Sequence, residues 1–295
     1  MKTAGKFPLL HPYKSGSRIR VTVVALFLLF TFTFLFSFIA TRDTTAAAPS
    51  PLPDPISDAL LYYASANATP TMSPAEIHSV YSVLRRCSAP CNLLVFGLTQ
   101  ESLLWNSLNH RGRTVFVDEY AFGVTRFEKR HPWVEAYDVR FSTKVRDLRS
   151  LIEDFKREVD GECRPLQNLL YSDCQLAVND LPNYMYDVGW DVIVIDGPSG
   201  YSPDTPGRMA SIFSAGVMAR TRGGEGGGGG THVFVHEMTR EVESVCTELF
   251  LCRENLVETV DMLGHFVVRK MGSGGGRKHT YGFCYTTPSS SSQFI

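Results

Sequence analysis

The sequence predicts an α/β fold, in which a mostly parallel β-sheet is covered by helices on both faces. From about residue 74 onward, short apolar runs rich in β-branched residues alternate with helix-like segments, a pattern typical of parallel sheets. These runs are apolar at nearly every position, as expected of strands that are buried on both faces. The chain has 295 residues, 44% of them hydrophobic, and this excludes a wholly disordered, collagen-like or small disulfide-stabilised protein.

Five strands are predicted in chain order, over residues 92–98, 114–120, 135–141, 191–198 and 231–237. Helices are predicted between or after them, over residues 100–108, 144–159, 207–219 and 240–252. Two further strands, near His265 and Tyr281, are predicted to close the sheet as an antiparallel hairpin.

An uncharged run of 20 residues, 21–40, precedes this domain and predicts a transmembrane helix. A helix of that length spans about 30 Å, the thickness of the hydrocarbon core of a bilayer. Five Lys or Arg residues precede the run and one follows it, so the positive-inside rule predicts a cytosolic tail over residues 1–20 and a body across the membrane. A cleaved signal peptide is the alternative, although its apolar region usually has only about 7–15 residues.

The segments around the domain are predicted from composition. Residues 41–73 are rich in Pro and Ala and predict an extended stem, with a glycosylation sequon at Asn67. The folded domain is predicted over 74–286 and a disordered tail over 287–295. All seven cysteines follow the predicted anchor; they can pair in an oxidising lumen, and their odd number leaves at least one free. The net charge of −1 gives no indication of nucleic-acid binding.

The carboxyl ends of the strands are the predicted ligand site, because open parallel sheets bind ligands beyond that edge, where the strand order reverses. Gly97 ends the first strand, and Asp118 and Glu119 end the second. A glycine there lets a ligand approach the backbone, and an acid there can accept hydrogen bonds from both ribose hydroxyls. The pattern suits an adenosine cofactor, and a structural turn is the alternative. Thr99 stands where a G-x-G motif would need its second glycine.

Three side chains after the later strands are candidate catalytic residues. Asp196, followed by Gly197, ends the most apolar strand and can position a cofactor amine, bind a substrate hydroxyl or hold a metal; a turn or capping aspartate is the alternative. Arg208 is a candidate clamp for a substrate carboxylate, or else a solvent-facing arginine. His236, which precedes Glu237, is a candidate general base, or else a structural histidine.

The histidines do not predict a metal site. His232 and His236 share one face of a strand but stand about 13 Å apart by the rise per residue, too far for one ion. Arg240 replaces the second histidine of an H-E-x-x-H motif.

Several long segments resemble one plant polysaccharide-biosynthesis family, which contains the glucuronoxylan 4-O-methyltransferases and the irregular-xylem proteins. The likeness covers roughly residues 75–270 and is carried by LLVFGL, TVFVDE, ECRPLQNLLYSDCQLAVNDLPNYMYDVGWDVIVIDGPSGY, PGRMASIFSAGVMAR, THVFVHE and TELFLC. The ECRPLQNLLYSDC block and the STKVRDL run look most like the irregular-xylem-fifteen branch.

The resemblance implies a Golgi type II membrane protein, held by a signal-anchor, that acts in xylan synthesis for secondary cell walls. It implies a class I methyltransferase-like (Rossmann-type) fold that uses S-adenosylmethionine. Gly97, Thr99, Asp118, Glu119 and Gly197 would then contact the cofactor, and Asp196 would lie between cofactor and acceptor. Xylan or glucuronoxylan chains and other xylan-synthesis proteins are the implied partners.

One departure from the family pattern leaves two functions open. Methyltransferase members carry GLGHDS where this chain has GLTQES, and a β-carbon at Thr99 crowds the expected path of the methionine end of the cofactor. The first function is therefore a non-catalytic role in xylan assembly. The second is methyl transfer to O4 of glucuronic acid side chains on xylan, in which His236 or Asp196 takes the hydroxyl proton and Arg208 holds the uronate carboxylate. A methyltransferase for another wall polymer is a third option.

Overall fold

The computed structural model describes residues 16–42, 52–66, 71–88, 90–221, 229–271 and 282–284. The chain divides into two compact units, residues 1–50 and 51–295. Helix α1, Gly16–Arg42, forms in the first unit and contains the predicted anchor segment. Among the described residues, no helix combines the length and the apolar character that crossing a membrane requires.

Helix α2, Asp54–Ser65, lies inside the segment that was predicted to be an extended stem. Pro55 sits in its first turn, where the missing amide proton costs no helical hydrogen bond. The buried Tyr81 hydroxyl donates to Ser57 of this helix over 2.9 Å, so α2 is packed against the domain. The prediction of an extended chain is wrong for this part, because prolines can start a helix as well as prevent one. Asn67 and the predicted tail lie outside the described residues.

The sheet of the second unit has seven strands in the order β3-β2-β1-β4-β5-β7-β6. Pairing is parallel among the first five, whereas β7 runs antiparallel to both β5 and β6. The chain moves outward from β1 to β3 and then returns to place β4 on the other side of β1, so the strand order reverses between β1 and β4. The prediction of a mostly parallel sheet is confirmed. The strands are β1 Asn92–Phe96, β2 Arg113–Asp118, β3 Glu135–Asp138, β4 Val192–Ile195, β5 Thr231–Val235, β6 Leu256–Val260 and β7 Leu263–Val268.

Helices cover both faces of this sheet, as predicted. Alternate residues of β1 point to opposite faces: Leu93 and Val95 join one apolar cluster, and Leu94 and Phe96 join the other. The first cluster includes side chains of α3 Pro74–Arg86, α4 Ser102–Leu108 and α5 Ala121–Arg130. The second includes side chains of α6 Leu148–Glu158, α7 Met209–Thr221 and α8 Glu241–Cys246.

The final hairpin differs from the prediction. The strand near His265 is present as β7, but its partner is β6, which lies upstream of it. The two are joined at Asp261, which adopts a positive φ of 50°. Almost every residue of β6 is exposed, so this edge strand lacks the apolar run by which the other strands can be recognised. Tyr281 lies outside the part of the chain that the structure describes.

Three disulfides join cysteines of the second unit: Cys87–Cys91, Cys163–Cys174 and Cys252–Cys284. Cys246 is free and buried, as the odd cysteine count requires. Within the described ranges, the groups that approach metal-ligand geometry both consist of a disulfide and one carboxylate. Their sulfurs are bonded to each other, so neither group is a metal site.

Candidate functional site

Gly97 and Gly197 bring the carboxyl ends of β1 and β4 into direct backbone contact. A Cβ on Gly197 would lie 2.6 Å from the Gly97 Cα, and a Cβ on Gly97 would lie 2.9 Å from the Gly197 nitrogen. Gly97 also has a φ of 109°, which side chains rarely adopt. The glycine that was predicted for close approach of a ligand is thus also required by the chain itself.

A cavity of about 500 Å³ opens at this edge of the sheet. It lies at the strand-order reversal between β1 and β4, where the rule for parallel sheets predicts a ligand. Every predicted site residue except Arg208 contributes to its wall. The lining residues are Thr71, Gly97, Leu98, Thr99, Asp118, Glu119, Asp196, Gly197, Ser199, Tyr201, His236, Glu237 and Met262.

The Asp118 carboxylate is held by backbone amides on both sides. Its Oδ2 accepts a hydrogen bond from the Leu98 amide over 2.7 Å, and its Oδ1 accepts one from the Tyr120 amide over 2.8 Å. Asp118 therefore connects the loop after β1 to the loop after β2. Each oxygen keeps a lone pair for a further donor.

Glu119 presents an unsatisfied acceptor in the cavity wall. Its Oε2 is buried and has no hydrogen-bond partner, while the carboxyl group also bonds to Ser199 of the loop after β4. Burial, followed by the neighbouring negative charge of Asp118, raises the pKa of Glu119 to about 7. A buried acceptor without a partner is costly, so Glu119 is suited to bind a ligand that donates a hydrogen bond.

His236 lies between two carboxylates. Its Nδ1 is 2.8 Å from Asp196 Oδ1, and its Nε2 is 3.6 Å from Glu76 Oε2. Burial would lower the pKa of His236, but the hydrogen bond to Asp196 and the charges of Asp196 and Glu76 outweigh it and raise the pKa above its ordinary value. An imidazole that favours its charged form is a poor general base. The remaining acceptor is Asp196 Oδ2, which is buried and unsatisfied.

Glu76 was not predicted as a site residue. It is fully buried at the start of α3, where its Oε2 accepts from the Ser73 amide over 2.6 Å and its Oε1 accepts from the Met262 amide over 2.9 Å. The S-x-x-E spacing from Ser73 to Glu76 is the signature of a capping box, which the structure contains. That signature predicts a helix start, but it does not reveal that the Glu76 carboxylate lies near the His236 ring.

Arg208 does not line the cavity, and the prediction that it clamps a substrate carboxylate is wrong. Its side chain is 2% exposed. The guanidinium donates to the main-chain oxygens of Pro198, Asp196 and His236 over 2.7–3.1 Å and forms ion pairs with Asp196 and Glu237. Arg208 is therefore neither a free clamp nor solvent-facing, but holds together the strand ends that carry Asp196 and His236.

Glu101 holds together two residues of the cavity wall, Thr71 and Thr99. Its buried carboxylate accepts hydrogen bonds from the Thr71 amide over 2.9 Å and from the Thr71 hydroxyl, and it also bonds to Thr99. Burial acts to raise the pKa of Glu101, but these hydrogen bonds outweigh it and hold the pKa below its usual value. The segment before α3 is thus fastened to the loop after β1, at the position where GLTQES departs from GLGHDS.

The cavity wall fits a cationic nucleoside cofactor by its chemistry. Four carboxylates and one histidine line it, and no Lys or Arg is among its described lining residues. The unsatisfied oxygens of Glu119 and Asp196 are acceptors, which suit hydroxyl, amine or sulfonium-bearing groups. Thr99 and Thr71 also line the cavity, and their side chains narrow the cavity beside the loop after β1.

A family model described as IRX15/IRX15L/GXM matches residues 75–266. The chain is similar to Protein IRX15-LIKE of Arabidopsis thaliana, with 55% identity over 221 residues that cover 75% of this chain and 69% of the relative. It is similar to Glucuronoxylan 4-O-methyltransferase 1 of the same plant, with 40% identity over 233 residues that cover 79% of this chain and 80% of the relative.

A comparison with solved structures matches a methyltransferase-like protein from Silicibacter pomeroyi DSS-3. The TM-score is 0.38 and the sequence identity 14%, over 68% of this chain and 88% of that one.

Proposed function

The chain belongs to the IRX15/IRX15L/GXM family, and on this basis we propose that it takes part in the synthesis of xylan for the plant secondary cell wall. The observation that carries the proposal is the order of similarity. Over comparable lengths, the chain is more similar to Protein IRX15-LIKE and Protein IRREGULAR XYLEM 15 than to the glucuronoxylan 4-O-methyltransferases. Xylan chains and other xylan-synthesis proteins are the proposed partners.

The proposed location is the Golgi membrane, with residues 21–40 as a single anchor and the domain in the lumen. The uncharged run and the excess of Lys and Arg before it support this orientation. Three disulfides in the second unit fit an oxidising compartment. Alkaline carbonate extraction, combined with protease protection of a carboxyl-terminal tag, tests the proposal: a tag that is digested without detergent, or a domain released as a soluble form, would contradict it.

A non-catalytic role in xylan assembly is the first form of the proposal. Its support is the contact network at Thr99, Glu101 and Thr71, which takes up space where the methyltransferase members have a glycine. In this form the protein acts through binding, as a scaffold or partner in the synthetic complex.

An active glucuronoxylan 4-O-methyltransferase is the second form, and the unsatisfied acceptors in the cavity favour it. S-adenosylmethionine, when bound, would supply the methyl group. Asp118 and Glu119 would hold its hydroxyls and Gly97 would let it approach the backbone. Asp196 Oδ2 would accept the proton of the glucuronic acid O4 hydroxyl, while His236 and Arg208 hold the other oxygen of Asp196. Such positioning contributes much of the rate of a displacement reaction.

Two measurements test the function and separate its forms. Expression in an Arabidopsis line that lacks IRX15 and IRX15-LIKE should restore the xylan content of the stem, and no restoration would refute the proposal. Asp196→Asn should restore xylan equally well if the role is non-catalytic, and should fail to do so if methyl transfer is required. Calorimetry of the full chain with S-adenosylmethionine gives an independent measure, since micromolar binding favours the enzyme and no heat at millimolar cofactor favours the non-catalytic form.

A further inference from the structure

Among the described residues, the cavity offers no lysine or arginine to an acidic sugar, and its one basic side chain, His236, is held by Asp196. Its described lining includes Asp118, Glu119, Asp196 and Glu237 but no Lys or Arg, and Arg208 is buried beneath it with its donors in use. A chain that carries uronate groups must therefore obtain its electrostatic attraction from another surface.

Exposed bases and aromatic rings line one side of α5, the helix that begins immediately after the cavity wall. Phe122, Arg126 and Arg130 are spaced four residues apart and so lie above one another on the helix surface, and all are exposed. Val124, on another side of the helix, is buried in the apolar cluster beneath the sheet. We name the α5 face as the set Tyr120, Phe122, Arg126, Lys129, Arg130 and Trp133.

The α5 face is continuous with the cavity. Tyr120 directly follows Glu119, and its amide donates a hydrogen bond to Asp118. Asp118 and Glu119 both line the cavity. The Tyr120 and Phe122 rings are 5.9 Å apart and are 60% and 64% exposed. Trp133, just past the other end of the helix, is 69% exposed. Large exposed aromatic side chains that adjoin one another commonly mark interaction sites in soluble proteins.

The bases of the α5 face are available to a partner. No ion pair within the described part of the chain involves Arg126, Lys129 or Arg130. Lys129 and Arg130 occupy the last turn of α5, where the helix dipole also favours a positive charge. Arg126 lies a turn earlier, so the dipole does not account for it.

We propose that the α5 face is the docking surface for a uronate-bearing xylan chain, which it delivers to the cavity at Tyr120; this inference rests on the proposed function. Aromatic rings present flat apolar faces that match the C–H faces of pyranose sugars, and the bases pair with uronate carboxylates. Helix α5 is roughly 15 Å long, the length of a few sugar residues of an extended chain. A neutral polysaccharide would use the rings but not the bases.

Affinity electrophoresis of the full chain in detergent tests the proposal, in gels that contain either glucuronoxylan or a uronate-free arabinoxylan. The double variant Arg126→Ala/Arg130→Ala should bind glucuronoxylan about three- to tenfold more weakly and arabinoxylan unchanged. Phe122→Ala should weaken binding to both polymers. Arg126→Lys/Arg130→Lys, which keeps the charges, should retain most of the affinity.

The matched control is Arg149→Ala/Lys156→Ala, which removes two exposed bases from α6 on the opposite face of the sheet. It should bind both polymers as the unaltered chain does. An equal loss of glucuronoxylan binding in the α5 and α6 variants would overturn the proposal, because the loss would then depend on the net charge of the protein and not on the position of the bases. Equal retardation by the two polymers, or no retardation by either, would also overturn it. The proposed function itself is decided separately, by xylan content in the complemented plants.

Discussion

Gly197 is packed so closely against Gly97 that a single added carbon on it would lie 2.6 Å from the Gly97 Cα. This contact joins the first half of the sheet to the second at the point where the strand order reverses. The cavity, its carboxylates and His236 are arranged around it. Several expected effects of substitution follow from its neighbours.

Gly197→Ala should destabilise the domain by about 1–3 kcal/mol or more, because the new methyl group has no space and backbone atoms on both sides cannot move independently. Denaturant unfolding followed by circular dichroism measures the change. Gly229→Ala is the matched control, since a Cβ there would meet no atom within 4 Å. Equal stability of the two variants would show that β1 and β4 separate more easily than the contact indicates.

Glu119→Gln should stabilise the domain at pH 8 and have little effect at pH 5. The pKa of Glu119 is raised to about 7 in the folded chain, so the folded state holds a proton that the unfolded state has lost. Stability therefore falls as pH rises from the ordinary carboxyl range through about 7. Glutamine has no proton to lose, and because Glu119 is partly exposed the gain should be only roughly 1 kcal/mol. Thermal unfolding across this pH range measures it, and a gain of the same size at pH 5 would contradict the explanation.

Glu76→Gln should lower the pKa of His236. The charged groups that face this imidazole are Asp196, Glu76 and Arg208, and the substitution removes one of the two carboxylates. A raised His236 pKa contributes stability that is fully present below the ordinary pKa of about 6.5 and is lost as pH rises through the folded value. The loss of folding stability caused by Glu76→Gln should therefore be larger at acidic pH than at alkaline pH.

Histidine-labelled NMR, with His236→Gln to identify the signal, measures the pKa directly. The control is Glu258→Gln, which removes the carboxylate 3.5 Å from His265 and should leave the His236 titration unchanged. An unchanged His236 pKa in the Glu76 variant would mean that Glu76 acts only through its hydrogen bonds to the Ser73 and Met262 amides.

Thr99→Gly should strengthen binding of S-adenosylmethionine, because it removes the side chain that borders the cavity at the loop after β1. Thr99→Ser is the matched variant: it keeps the hydroxyl that bonds to Glu101 and removes only a methyl group. Calorimetry of the full chain with S-adenosylmethionine compares the two variants, and so separates the effect of the methyl group from that of the hydroxyl. If the unaltered chain already binds S-adenosylmethionine at micromolar concentration and Thr99→Gly does not increase the affinity, the prediction that Thr99 crowds the cofactor is wrong.

The sheet and the place of the cavity could be predicted because both depend on local sequence. Buried parallel strands are apolar throughout, and Gly97, Asp118, Asp196 and His236 follow directly at their ends. The rule that ligands bind at carboxyl ends then brings these residues together without knowledge of any distant contact. Strand β6 was missed because an exposed edge strand carries no such apolar signal.

The contacts that set the chemistry of the cavity could not be predicted in this way. Glu76 reaches His236, Glu101 reaches Thr71, and Arg208 reaches Glu237, each across a long separation in sequence. Their partners are chosen by the packing of α3 and of the loops after the strands. Arg208 in particular is a structural residue because it is buried, and the turn-rich sequence before it gives no sign of that burial.

The hydrogen bonds between Glu101 and Thr71 bear on how the domain can be isolated. A recombinant form that starts at residue 74 would discard Thr71 and leave the Glu101 carboxylate buried with fewer donors, at a cost typical of an unpaired internal charge. A form that starts at Pro51, where the second unit begins, keeps both this closure and helix α2. We expect only the longer form to be soluble and monodisperse.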